Sequence, residues 1–295
     1  MRLPSWISQH LAAVRTLLVF TVLFGLAYPL GMVAVARIPG LSGSADGSLV
    51  SQNGKDVGSR LIGQSFADDK GNALKQYFQS RPSAAGSAGY DPTATSASNL
   101  GPESVVDTLP DPADPTSGKQ SLLTQVCGRS KAVGELDGVD GSRPFCTPDG
   151  VGAVLAVFHR DGLTGPVTRA VSLNQACPAT SFIATYDGVT VECAKFGDDY
   201  SVGVVTPIRG TAPATPAVPA DAVTASASGL DPDISPAYAA LQAPRIAKER
   251  GVALTVVTAL IDKHTTGRFL GFIGEPTVNV LELNLDLDQQ YPFHG

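Results

Sequence analysis

The chain has 295 residues, 43% of them hydrophobic and only 16% charged, with a formal net charge of −6. A chain of this size holds one or two domains, and its scattered Lys and Arg form no basic stripe, which argues against nucleic acid as a partner. Only one stretch is apolar enough to cross a bilayer, so a multi-span transporter is excluded as well.

That stretch comes first. No Asp, Glu, Lys, Arg or His lies between Arg15 and Arg37, and residues 16–36 read TLLVFTVLFGLAYPLGMVAVA. A helix of this length spans about 30 Å, the thickness of a hydrocarbon core. Residues 14–37 are therefore expected to anchor the chain in the plasma membrane, with residues 1–13 cytoplasmic and the bulk exported. Gly25, Pro29 and Gly31 are tolerated in lipid, and Ala27 with Gly31, flanking Pro29, gives a small-xxx-small face on which another helix can pack. A cleaved signal peptide ending at Ala34-Val35-Ala36 fits less well, because the apolar run exceeds the roughly 7–15 residues of a signal core.

Residues 38–117, rich in Gly, Ser, Asp and Pro, are expected to begin the exported domain. Residues 118–213 change character. Here 151–158, 167–173, 182–186, 189–193 and 200–205 are short β-branched or aromatic runs, and Asp187-Gly188 is a two-residue hairpin signal. This insertion reads as a small antiparallel β module that ends in an Ala/Pro/Thr linker at 211–219. It carries all four cysteines, Cys127, Cys146, Cys177 and Cys193, none at C-x-x-C spacing and with only His159 nearby. Two disulfides of open pairing are expected instead of a metal site, in an oxidising compartment.

Residues 214–288 complete the domain, and 289–295 form a tail. Ser235-Pro236 starts a helix that Gly251 stops, with a kink or break expected at Pro244. Residues 254–264 place Val256, Val257, Leu260 and Ile261 on one face of a second helix. Residues 277–287 alternate apolar and polar side chains and read as a strand whose parity shifts between Val280 and Leu281, as at a bulge. The fold class is α+β: one transmembrane helix, then an exported mixed α/β domain with an inserted cysteine-bearing β module.

No nucleophile elbow, phosphate-binding loop or H-E-x-x-H motif occurs in the sequence. His264 reads as a helix-end residue, and Asp68-Asp69 and Asp198-Asp199 as solvated turns. The unusual stretch is 224–236 (TASASGLDPDISP), where small hydroxyl residues and Gly permit close backbone approach just ahead of a helix. It reads either as an elaborate cap or as a docking loop. A dispersed triad drawn from Ser226, Ser228, Asp231 and His264 would make the chain an anchored hydrolase, the alternative from another functional class.

Several ordered segments carry a family resemblance: 61–66 (LIGQSF), 77–86 (YFQSRPSAAG), 98–102 (SNLGP), 218–226 (VPADAVTAS), the Gly229-Leu230-Asp231-Pro232 turn, 238–251, 271–276 (GFIGEP) and 278–285 (VNVLELNL). Together with the anchor they make the sequence resemble the C subunit of the high-affinity Kdp potassium-transporting ATPase. The resemblance leaves out residues 103–213, where the usual member is shorter and helical, and Asp233 stands where that family more often has His or Asn.

The resemblance implies an accessory, non-catalytic subunit without a cofactor of its own. Its implied partners are a potassium-channel-like subunit, a P-type ATPase subunit that binds ATP and Mg, and the lipid bilayer; potassium is the ion transported. It implies a catalytic chaperone that raises the ATP affinity of the ATPase subunit, with a nucleotide-contact glutamine at Gln242. Partner or structural contacts are expected at Arg81, Asn99, Ser226, Ser228, Gly229, Asp231, Arg245, Arg268, Glu275 and Asn279. Cytoplasmic ATP does not reach Gln242 in an exported domain, so linkage through a conformational state is the expected route of coupling.

Overall fold

Proline at position 29 has no N–H to give the Gly25 carbonyl, and the helix around it responds with a local change of hydrogen-bond register. In the computed structural model, which describes residues 4–96 and 100–293, α1 (Ser5–Val22) passes through a π-helical turn at Leu23–Ala27 into α2 (Tyr28–Ala36). The Tyr28 N–H donates to the Leu23 carbonyl five residues back. The continuous run Ser5–Ala36 is long and apolar enough to cross a membrane, and its apolar window is unburied. It starts earlier than the anchor expected at 14–37, because nothing between Pro4 and Arg15 interrupts a helix. Ala27 ends the π turn, and Pro29 and Gly31 lie in α2.

The same unit, Met1–Leu61, continues with the one-turn α3 (Ser42–Ala45) and a hairpin of β1 (Leu49–Gln52) and β2 (Lys55–Ser59). Asn53 and Gly54 form its turn at φ 55° and 75°, the left-handed pair that a two-residue hairpin requires.

The second unit, Ile62–Gly295, holds the remaining elements. They are α4 (Leu122–Asp137), β3 (Val154–Asp161), β4 (Thr164–Ala176), β5 (Thr185–Tyr186), β6 (Val189–Ala194), β7 (Val204–Pro207), β8 (Asp233–Ile234), α5 (Pro236–Arg250), α6 (Leu254–Lys263), β9 (Thr265–Thr266), β10 (Thr277–Asn279) and α7 (Val280–Gln290).

Five strands form one sheet in the order β5-β6-β4-β3-β7. The Asp187-Gly188 turn joins β5 to β6 as expected, with Tyr186 opposite Val189. The sheet is not purely antiparallel, however, because β4 and β6 run parallel. The Cys177–Cys193 disulfide lies at the shared C-terminal end of that pair, where the Cys177 N–H also donates to the Ala194 carbonyl (2.8 Å). Residues 182–184, expected in a strand, instead form loop; Phe182 and Ile183 cover one sheet face over Leu155, Val157, Ala170 and Val191. The other face buries Val154, Ala156 and Leu173, so successive residues of β3 serve opposite faces.

The main core lies among α5, α6, α7 and a small sheet ordered β8-β10-β9. The helix α4 also reaches it, which the β reading of 118–213 did not foresee. Ser121 caps α4 by accepting from the Thr124 N–H (3.2 Å), and Gly138 ends it at φ 69°. Val126 and Val133 pack against the main core, and the Cys127–Cys146 disulfide ties the helix to the segment entering β3. The inserted region is thus rooted in the core instead of hanging from it.

Two further expectations change. Pro244 does not break α5, which runs on to Arg250; the carbonyl it deprives of a donor belongs to Ala240, an exposed residue open to solvent. Residues 277–287 are not one strand. Only Thr277–Asn279 pair in β10, and α7 follows directly, burying Val280, Leu281, Leu283, Asn284 and Leu287. The parity shift at Val280 and Leu281 marks the change from period 2 to period 3.6. Asn279 caps the new helix by accepting from the Glu282 N–H (3.0 Å).

Candidate functional site

Residues of the motif-bearing segments 61–66 and 77–86 meet the stretch 224–236 in one place. Arg81 pairs through Nη1 with Asp231 (2.7 Å), whose other carboxylate oxygen accepts from the Asp233 N–H (3.1 Å). Ser83 Oγ donates to the Gly229 carbonyl (2.6 Å) and accepts from the Tyr90 N–H (2.8 Å). The Gly63 N–H donates to the Leu230 carbonyl (2.9 Å). Within the loop itself, Ser226 Oγ accepts from the Gly229 N–H (3.0 Å) and Ser228 Oγ from the Leu230 N–H (3.1 Å). Gly229 sits at φ 71° against the backbone of Ala85, where a side chain would find a nitrogen atom 2.9 Å from its Cβ. The stretch 224–234 is therefore a cap that is also packed against a second loop.

Tyr90 closes this knot by donating its hydroxyl to the Arg81 carbonyl, and burial pushes its phenol up to about 12. Asp233 is half-buried beside Asn279, which donates to it (3.1 Å); burial raises its carboxyl above the ordinary value despite that bond. Asn99 lies outside the described residues.

Gln242 and Arg245 form a second cluster on α5. Gln242 is fully buried, its Oε1 accepting from the Gln79 N–H (2.6 Å) while its Nε2 donates to the Gln79 carbonyl (3.1 Å). One turn on, Arg245 donates to Gln242 Oε1 (2.9 Å), to the Lys75 and Tyr77 carbonyls and, through Nε, to Asp137 at the end of α4 (2.7 Å). The Arg245 and Asp137 side chains are 5% and 0% exposed. Burial raises the Asp137 carboxyl above its ordinary value, and the Arg245 guanidinium only partly counters this.

Asn284 on α7 repeats the arrangement one residue earlier. It accepts from the Phe78 N–H (2.9 Å) and donates to the Phe78 carbonyl (3.0 Å). Arg250 donates to the Gln76 carbonyl (2.9 Å) and lies over the Tyr77 ring. Residues 75–79, a turn at 75–77 followed by irregular chain, are thereby held by side chains of α5 and α7. Asn284 and Asp137 were missed by sequence reasoning; a lone Asn among leucines on an otherwise apolar helix face was the available signal for Asn284, and nothing local marks Asp137.

Arg268 and Glu275 do pair (2.6 Å), but on the surface, at the base of the excursion between β9 and β10. Of the residues of the hydrolase alternative, His264 does not join the others. His264 Nε2 bonds Asp286 (2.9 Å), while Ser226, Ser228 and Asp231 are engaged within the knot described above.

A family model described as KdpC, the c chain of the K+-transporting ATPase, matches residues 10–108 and 204–289. The potassium-transporting ATPase KdpC subunit of Kineococcus radiotolerans is 36% identical over 290 residues, covering 98% of either chain. The KdpC subunit of Caulobacter vibrioides is 37% identical over 92% of this chain and 89% of its own, and that of Beijerinckia indica 34% over 96% and 95%. These relatives align through the region that the family model omits, where α4, Asp137 and the five-stranded sheet lie.

Proposed function

This chain belongs to the KdpC family, the c chain of the K+-transporting ATPase, and is a subunit of a potassium-transporting ATPase complex; from that premise we propose how it serves there. It acts as a non-catalytic accessory subunit. The helix Ser5–Ala36 anchors it beside a channel-like subunit in the plasma membrane, and its folded domain lies outside the cytoplasm. Two disulfides, Cys127–Cys146 and Cys177–Cys193, support an oxidising location.

The chain raises the ATP affinity of a P-type ATPase subunit by linkage. By binding one conformational state of the complex more tightly than another, it shifts nucleotide affinity without touching the nucleotide. The observation that carries this reading is Gln242: it is fully buried and bonded at both ends of its amide to the backbone of Gln79, so it serves as a clamp instead of a ligand contact. The Arg81–Asp231 knot and the 75–79 clamp keep the surface that partners meet in a fixed shape.

The test uses the assembled complex. The intact chain co-purifies with the channel-like and P-type subunits, and a photoactivatable ATP analogue labels the P-type subunit alone. Label on this chain that vanishes in a Gln242→Ala variant would overturn the linkage reading. Protease added to intact cells removes the C-terminal domain if it faces outward; full protection would place it inside.

A further inference from the structure

Between β9 and β10 the chain makes an excursion whose tip is apolar and uncovered. Phe269, Leu270, Phe272 and Ile273 are 69%, 69%, 72% and 49% exposed. They do not hang as slack chain: Phe269 and Ile273 exchange backbone hydrogen bonds of 2.9 Å in both directions, and Leu270 and Gly271 turn between them at φ 52° and 80°. The turn, closed by this one bridge, thus presents four large apolar side chains to solvent, against the hydrophobic effect that ordinarily tucks such groups away. The Arg268–Glu275 ion pair stands at the base of the tip.

Two observations choose the medium this tip enters. From Phe269 to Gly274 no side chain carries a hydrogen-bonding group or a charge, whereas a protein–protein interface reads its partner with about one hydrogen bond per 100–200 Å². A medium that asks only for apolarity suits the tip better. The chain also tethers the domain to that medium. Residues 37–61 link the helix Ser5–Ala36 to the domain, and even fully extended they span no more than on the order of 90 Å.

We propose that the 268–275 tip is a second, shallow membrane contact, its apolar side chains entering the headgroup–acyl boundary of the bilayer that the anchor crosses while Arg268 and Glu275 stay at the polar surface. A wedge of this kind reaches the 5–10 Å depth at which interfacial segments sit. The inference rests on the anchored reading above. Its effect is to give the domain two points of attachment instead of one, which limits its swing about the linker.

The experiment uses the full chain in lipid nanodiscs. Trp6 is the sole tryptophan, so a Trp6→Phe background allows single reporters at Phe272→Trp (tip), Leu18→Trp (anchor) and Val202→Trp (an exposed site on the β module). Lipids brominated high on the acyl chain should quench the tip reporter at least twofold and blue-shift its emission, while lipids brominated near the chain end quench it less and the β-module reporter stays solvent-like. Unquenched, solvent-like emission at the tip overturns the proposal, as does shielding that appears only when the other subunits of the ATPase are added, which would assign the tip to a protein groove. The anchor reporter separates the two readings: if it is quenched by deep bromines while the tip is not, the anchor stands and the tip contact fails.

Discussion

Arg245→Met tests the buried cluster most directly. The substitution keeps the bulk of the side chain but removes the cation from beside Asp137, whose carboxylate is completely buried and whose second oxygen has no hydrogen-bond partner among the described residues. It also strips donors from the Lys75 and Tyr77 carbonyls. Breaking a buried ion pair from one side costs about 3–5 kcal/mol, which in a unit of this size lowers Tm by ~10 °C. Arg245→Met/Asp137→Leu should recover most of that loss, because two matched apolar side chains leave no charge stranded. The pH dependence has a definite sign. Asp137 is already held above the ordinary carboxylate value by burial, and losing Arg245 raises it further. A carboxyl raised in the folded state favours folding below its unfolded value, and that benefit fades as pH rises through the folded one. The deficit of the single variant should therefore be largest near pH 8 and narrow towards pH 5. Guanidinium unfolding of the full chain in detergent, followed by near-UV circular dichroism across that range, measures it. A loss below about 1 kcal/mol, or a double variant no more stable than the single, would refute the reasoning.

Three further substitutions probe other parts of the domain. Gly229→Ala puts a Cβ 2.8 Å from that of Ala85 at a φ of 71° and should cost about 3 kcal/mol, whereas Gly251→Ala, at φ 64° with open space around it, should cost only about 1 kcal/mol; thermal unfolding of the pair isolates the close approach. For Asp286, partial burial opposes ionisation, but hydrogen bonds from Lys263, His264 and Gln290 together outweigh it and hold the carboxyl at about 2. Its stabilising contribution is present above the unfolded carboxylate value and lost as pH falls through about 2, so the Tm difference between the native chain and Asp286→Asn should be constant at neutral pH and vanish towards pH 2.

Local signals in the sequence proved readable where one interaction type dominated. Ser235, Pro236 and Gly251 bound α5, the spacing of Val257, Leu260 and Ile261 sets α6, and Asp187-Gly188 turns a hairpin. Reading failed where two periods overlap, as at 277–287, whose first three residues pair in a strand before the helical spacing of Val280, Leu283 and Leu287 takes over. It failed again at α4, where Gly128, Ser130 and Gly134 dilute the apolar pattern although Ser121 and Gly138 marked both ends. The motif residues Arg81, Gly229 and Asp231 were recognisable as special, but their pairing spans some 150 positions and no spacing rule announces it. The parallel β4–β6 pair and the partner of Arg245 are equally non-local: Asp137 comes from a helix that the family model does not match.

The segment 75–79 has a consequence for biogenesis. The amides of Phe78 and Gln79 find partners 206 and 163 positions downstream, on Asn284 and Gln242, instead of on a neighbouring strand. Such remote closure is slow and comes late, because the intervening chain has to be gathered first. As the polypeptide emerges from the ribosome, this early stretch waits for the final helix before it can seat. Without Asn284 the Phe78 N–H and carbonyl lose the partner that holds them, so an early stretch of the chain depends for its seating on the last helix.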